Sequence, residues 1–136
     1  MESNLLILAK QIVEIGFGKA DFSIIDTSIA DDFIEHQFGM SSGKESLIKV
    51  IKSLHNAFPD LKYRTLNYSQ NKDIVWCHFQ CNGTHTGPFM GNAPTGKTFN
   101  IDVIDIMRFE NSKMIEHWGA PDRFALLVQL GFWPPK

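Results

Sequence analysis

Lys97–Glu110 (KTFNIDVIDIMRFE) decides how this chain is read. Apolar side chains recur there with a period of two, which is the period of a β-strand with one buried face. Phe99, Ile101, Val103, Met107 and Phe109 share a face with a single acid, Asp105. A carboxylate among five apolar neighbours is costly to bury without a partner, so Asp105 is singled out as a candidate site residue. The preceding stretch, Ile74–Thr86, alternates in the same way: Val75, Cys77, Phe79, Cys81, Gly83 and His85 lie on one face, and Trp76, His78, Gln80, Asn82 and Thr84 on the other. Leu61–Gln70 and Lys113–Ala120 complete a set of four strands. Asn71-Lys72-Asp73 and Glu110-Asn111-Ser112 act as tight turns, and Gly87–Gly96 (GPFMGNAPTG) is a longer loop rich in Gly and Pro. Strands joined by hairpins run antiparallel.

Upstream the period is helical. Leu5, Leu6, Ala9, Ile12, Val13 and Phe17 predict a helix of about four turns. Asp21 is placed to cap a short second helix. Asp31–Phe38 (DDFIEHQF) reads as a strand. A third helix then carries Leu47, Ile48, Val50, Ile51, Leu54 and Phe58 on one face, with Ser42 and Glu45 at capping-box spacing and Pro59 as its stop. A last helix follows Pro121-Asp122, with Phe124, Leu126, Leu127 and Leu130 expected inside. Helices first and mostly meandering strands after them predict one α+β domain over residues 1–136. Long strands twist and bend, so the sheet is expected to form a cone around one ligand-sized pocket.

The 136 residues carry a net charge of -2, with 43% hydrophobic and 21% charged side chains. No basic stripe suggests a nucleic-acid partner. No apolar run approaches a membrane span, and the start of the chain lacks a signal-peptide pattern, so a cytoplasmic protein is expected. Cys77 and Cys81 are about 13 Å apart along one strand, too far for a disulfide, and read as free buried thiols. Cys77, His78, Cys81 and His85 do not converge on a tetrahedral zinc from one straight strand, so no metal is expected. Hydrolase elbows and Walker or Rossmann spacings are missing as well.

Five histidines remain to be weighed. His117 shares a face with Ile115 and Gly119, opposite Met114, Glu116 and Trp118, and His85 lies on the apolar face of its strand. Both are candidates for moving protons near neutral pH, against the alternative of buried rings bonded to the backbone. His36 is a candidate for orienting a ligand, His55 for the surface and His78 for a structural part. Phe38, Phe89, Phe99 and Trp133 are aromatics able to pack a flat ligand, although ordinary core packing accounts for any one of them.

Thr84-His85-Thr86-Gly87, Phe89-Met90-Gly91, Pro94-Thr95-Gly96 and Glu116-His117-Trp118 occur in that order, with Ala57–Leu61, Ile34-Glu35-His36 and Leu126–Gly131 around them. In this combination the chain resembles the SnoaL-like polyketide cyclases of the nuclear transport factor two-like superfamily. The resemblance implies an α+β barrel-like cone, a homodimer formed through the sheet, and aldol-type cyclisation with neither metal nor organic cofactor. It implies a pocket place for His85, matches His117-Trp118 to the family's His-Trp pair, and adds Trp118 and Gly119 to the ligand-binding set. The family's catalytic aspartate directly follows that pair, and here the position is Gly119. Two expectations follow. One is a cofactor-independent enzyme on a small, mostly apolar carbonyl compound, with His117, His85 and Asp105 handling protons. The other is a non-catalytic binding domain of the same fold.

Overall fold

A computed structural model describes residues 3–135. The chain opens with helix α1 (Asn4–Gln11), capped by Ser3 Oγ, which accepts from the Leu6 amide at 3.1 Å. The expected four-turn helix does not continue as one type. Ile12–Phe17 winds more loosely, as π-helical turns, with the Gly18 amide reaching back five residues to the Val13 carbonyl at 2.9 Å. Asp21 caps α2 (Phe22–Ser28) as expected, and its carboxylate accepts from the amides of Ser23 and Ile24.

Strand β1 spans Ile29–Glu35, starting and ending earlier than the alternating stretch suggested. Helix α3 (Lys44–Ala57) begins at Gly43, whose φ of +97° suits a residue without a side chain. The capping box is not formed, because Ser42 Oγ instead accepts from the Glu35 amide at 2.9 Å and ties the helix entry to the end of β1. Strands β2 (Lys62–Asn71), β3 (Ile74–Thr84), β4 (Thr98–Glu110) and β5 (Lys113–Pro121) follow, and α4 (Arg123–Gln129) closes the chain. Asp122 caps α4 through the Ala125 amide at 3.0 Å.

The sheet order is β1-β5-β4-β3-β2. The last four strands form an antiparallel meander, and β1 adds to β5 in parallel. The architecture is therefore α+β, as read from the sequence. The sheet stays open, with β1 and β2 as its edges, where the family resemblance implied a barrel-like form. Helices cover one face. Leu6, Ile12, Ile25, Phe33, Ile51, Phe79 and Met107 are buried between the layers. At β5 the strict alternation breaks: Arg108 pairs with Glu116 but Phe109 with Met114, so one extra residue bulges at Ile115. Met114 is consequently buried on the same side as His117, against the simple parity reading. Phe124 also departs from expectation, lying exposed against Trp133, while Leu130 is fully buried.

Candidate active site

Three strands bring three ionisable side chains to one place. Glu35, the last residue of β1, is in register with His117 on β5, and because the pair is parallel both side chains leave the sheet on the helix-covered side. On the other flank of β5, β4 supplies Asp105 from the same side. Glu35 Oε2 lies 2.6 Å from His117 Nδ1, and Asp105 Oδ1 lies 2.6 Å from His117 Nε2. The side chains are 0%, 9% and 9% exposed for Glu35, His117 and Asp105, so the cluster is nearly dry.

Burial alone would depress an imidazole pKa, because it penalises the charged ring. Here the hydrogen bonds and charges of Asp105 and Glu35 outweigh burial and push His117 up to about 9. His117 is thus an imidazolium at neutral pH, donating both N–H groups to carboxylates. Glu35 Oε2 also accepts from the Gln37 backbone N–H at 3.2 Å, while among the described residues Glu35 Oε1 is buried without any hydrogen-bond partner. An unsatisfied buried carboxylate oxygen is costly in a folded protein, and a ligand that donates a proton or a hydrogen bond would relieve it. A metal does not suit this set, since the ring stands between the two carboxylates and its nitrogens are both taken. Among the described residues no other group of His, Cys, Asp and Glu converges.

The cluster lines a cavity of about 470 Å³ between sheet and helices, a size ordinary for a small-molecule site. Its walls are mostly apolar, with Leu47, Leu54, Phe58, Phe99, Val103 and Leu126 among them. Tyr63, Gln37 and Arg123 add polar groups, and the last two, with Met90, are among the more exposed lining residues. Cys81 lines the cavity too, but burial raises its thiol to about 12, so it remains neutral and a poor nucleophile. Both cysteines are free and buried, as expected from their spacing.

The residues singled out in the sequence separate into two groups. Asp105 and His117 meet at the cavity wall, and Phe89 and Phe99 line it. Gly119 pairs with Asp105 across β4 and β5, and the Gln37 side chain fills the space that a Cβ at this position would need. His85, expected in the pocket, is fully buried but is not a lining residue. Its ring packs against Phe58, Phe89 and Phe132, and Nδ1 accepts from the Thr95 amide at 3.2 Å, which anchors the 87–97 loop. Among the described residues its Nε2 has no hydrogen-bond partner.

His36, expected to orient a ligand, points to the opposite face of the sheet, because its neighbour Glu35 takes the inward direction. There His36 pairs with Glu116 at 2.6 Å and stacks on Trp118 with ring centres 4.7 Å apart. Trp118 is thereby also removed from the cavity. Phe38 is 88% exposed and lends only its carbonyl to Arg123. Trp133 is half-exposed, His55 is part-buried with Nε2 2.5 Å from the Phe17 carbonyl rather than free on the surface, and His78 pairs with Asp102 on the outer face. Glu35 and Gln37 were not read as site residues. The signal available was parity with Phe33, two and four residues earlier in the chain.

The family model of the SnoaL-like polyketide cyclases matches residues 8–130. The chain is 28% identical over 94 residues to aklanonic acid methyl ester cyclase DnrD of Streptomyces peucetius, covering 68% of this chain and 65% of that one. It is 29% identical over 76 residues to the cyclase of the same name, AcmA, of Streptomyces galilaeus, covering 55% and 53%. It thus spans between about half and two thirds of the length of these two relatives. Among solved structures, AclR of Streptomyces galilaeus superposes with a TM-score of 0.85 at 27% identity, covering 96% of this chain and 97% of that one. The chain therefore belongs to the SnoaL-like polyketide cyclase family.

Proposed function

We propose that this chain is an acid–base enzyme of polyketide cyclase type that works without metal or organic cofactor on a small, mostly apolar carbonyl compound. The observation that supports it best is an imidazolium clamped between two carboxylates at the wall of an apolar cavity. His117, with both N–H groups engaged, is not the base; it holds the two carboxylates in place. Asp105 is the base. Its carboxylate takes a proton from the carbon next to a substrate carbonyl and leaves an enolate. The enolate carbon bonds to a second carbonyl carbon of the same molecule, and the proton returns to the oxygen that becomes alkoxide. Nothing is oxidised, and no atom is gained or lost. Isomerisation and dehydration use the same proton steps. Positioned acid–base groups contribute about 10²–10⁴-fold in rate. Two copies joined through the outer sheet face would complete the assembly.

The test is hydrogen–deuterium exchange next to the carbonyl, followed by NMR in heavy water. A panel of enolisable diketones is used, including aklanonic acid methyl ester, the compound named for two relatives. Wild type is expected to accelerate exchange for at least one member, and Asp105→Asn to return it to the buffer rate. Exchange at the buffer rate for every compound with wild type would end the catalytic reading. A second reading, a non-catalytic binder, is favoured by Gly119, which offers no side chain beside His117. It would show as cavity ligands raising the melting temperature without any exchange.

A further inference from the structure

Hydrogen-bond donors and acceptors around the ionisable cluster are unevenly distributed. Acceptors are in surplus: two carboxylates, with Glu35 Oε1 unpartnered. The donors nearest them are spent, because both His117 N–H groups face carboxylates and the Tyr63 hydroxyl is engaged with Cys81. A ligand carbonyl brought to this wall would meet negative charge and find no donor there. An oxygen that gains charge as an enolate needs one.

The position opposite Asp105 on β5 resolves this. Gly119 has no side chain, and a Cβ built on it would lie 2.0 Å from Gln37 Oε1 and 2.9 Å from His117 Cε1. The Gln37 amide therefore reaches over β5 into the space that the glycine leaves open, right beside the imidazolium. Gln37 is half-buried and lines the cavity, and among the described residues its side-chain amide has no hydrogen-bond partner. The amide is half-buried and open to the cavity, so a ligand oxygen can take the place of water on it. Its terminal torsion is soft and roughly two-fold, so either the oxygen or the NH₂ can be presented there.

We propose that Gln37, in the space left by Gly119, donates a hydrogen bond to a carbonyl oxygen of the ligand beside His117. It would act as a free neutral donor beside two carboxylates whose neighbouring donors are already engaged. This deepens the acid–base reading and rests on it only for the claim that the ligand is a carbonyl compound. It makes Gly119 a residue kept small so that the amide can enter, and it gives the pocket a preference for ligands bearing an accepting oxygen at that depth.

The experiment compares two flat probes of matched shape by titration calorimetry. 9,10-Anthraquinone carries accepting oxygens, and anthracene carries none. Wild type is expected to bind the quinone about five- to tenfold more tightly than the hydrocarbon, the ratio carried by one ordinary hydrogen bond. Gln37→Leu should abolish that ratio while leaving anthracene affinity within about twofold. Gln37→Glu, which accepts but does not donate when ionised, should do so as well. Gly119→Ala is the independent variant: Gln37 is intact, but the new methyl displaces its amide, and the ratio should again collapse. Melting curves of each variant confirm folding.

A ratio that persists in Gln37→Leu, or one that disappears only with Arg123→Met, overturns the proposal. So does the absence of any preference in wild type. Failure of wild type to bind either probe overturns the pocket itself, and this inference with it. Loss of exchange chemistry alone, with the quinone preference intact and Gln37-dependent, would sink the catalytic reading and leave this one standing.

Discussion

Glu35 and His117 are direct neighbours across a parallel strand pair, although 82 residues separate them in the chain, and Glu35 Oε2 accepts from His117 Nδ1 at 2.6 Å. With Asp105 on the other ring nitrogen, His117 is raised from its ordinary 6.5 to about 9. The sign follows from linkage. A group whose pKa is higher folded than unfolded stabilises the fold fully below the unfolded value, and that stabilisation disappears as pH rises through the folded one. The expected outcome is a melting temperature that declines between about pH 6.5 and 9 on this account, and a His117 Cε1–H resonance titrating near 9 by NMR. A midpoint below 7 would remove the imidazolium from the mechanism.

The two carboxylates differ in their parts. Asp105→Asn removes the proposed base and is expected to lower kcat by about 10²–10⁴-fold across the pH range. Glu35→Gln leaves the base in place and removes one of two charges that hold the imidazolium. Its expected effect is a smaller loss, about tenfold, with the alkaline limb of the pH–rate profile moved to lower pH. Equal losses with unchanged profiles would contradict this division.

Much of this site was legible in β4, where one acid interrupts an apolar face of five, and in the His-Trp pair of β5. Alternation is a local signal, so it found Asp105 and His117. It misassigned Met114, because the bulge at Ile115 costs one residue of register that no local pattern announces. Glu35 escaped because its partner comes from a distant parallel strand, and parallel pairing of an edge strand leaves no hairpin in the sequence. His85 was placed on the correct face but at the wrong depth. Parity gives a direction, and only three-dimensional packing reveals that Phe58 and Phe89 stand around it.

The cavity can be closed without disturbing the ionisable cluster. Leu126 on α4 lines it and is half-buried, so Leu126→Trp would project an indole into vacant space. The expected result is loss of carbonyl-probe binding by at least tenfold, with a melting temperature within a few degrees of wild type. Undiminished binding would mean that ligands are held elsewhere.

The loop that carries Phe89 depends on Gly87. Its amide donates to the Ala57 carbonyl at 3.0 Å, and a Cβ there would lie 1.8 Å from the Asn56 carbonyl oxygen. That obstacle is backbone at the end of α3, so the side chain cannot be accommodated by a rotamer change. Gly87→Ala is expected to destabilise by about 2 kcal/mol or more and to weaken probe binding, because Phe89 moves with the loop. Gly91→Ala, four residues further along the same loop, meets no atom within 4 Å and suffers only the strain of φ +76°, about 1 kcal/mol. Denaturant midpoints in the reverse order would refute this account of the loop.

The outer face of the sheet has its own continuity. Trp76 is opposite Ile106, and Ile106 is opposite Trp118, so three large apolar side chains form a row across β3, β4 and β5, extended by His36 stacked on Trp118. Ile34, Trp76 and Ile104 are each more than a third exposed. A contiguous apolar row on a sheet face is a natural surface for association, and a second copy is the occupant that the family resemblance implies. Sedimentation equilibrium at micromolar concentration should give twice the 15.4 kDa chain mass for wild type. The double variant Trp76→Glu/Ile104→Glu should sediment as a folded monomer, since like charges would meet across the two-fold interface. The cavity is lined from the opposite face, so its binding of carbonyl probes should survive dissociation within about threefold. A wild-type monomer at these concentrations would dispose of the assembly, whereas a dimer that ignores both glutamates would relocate it to another face.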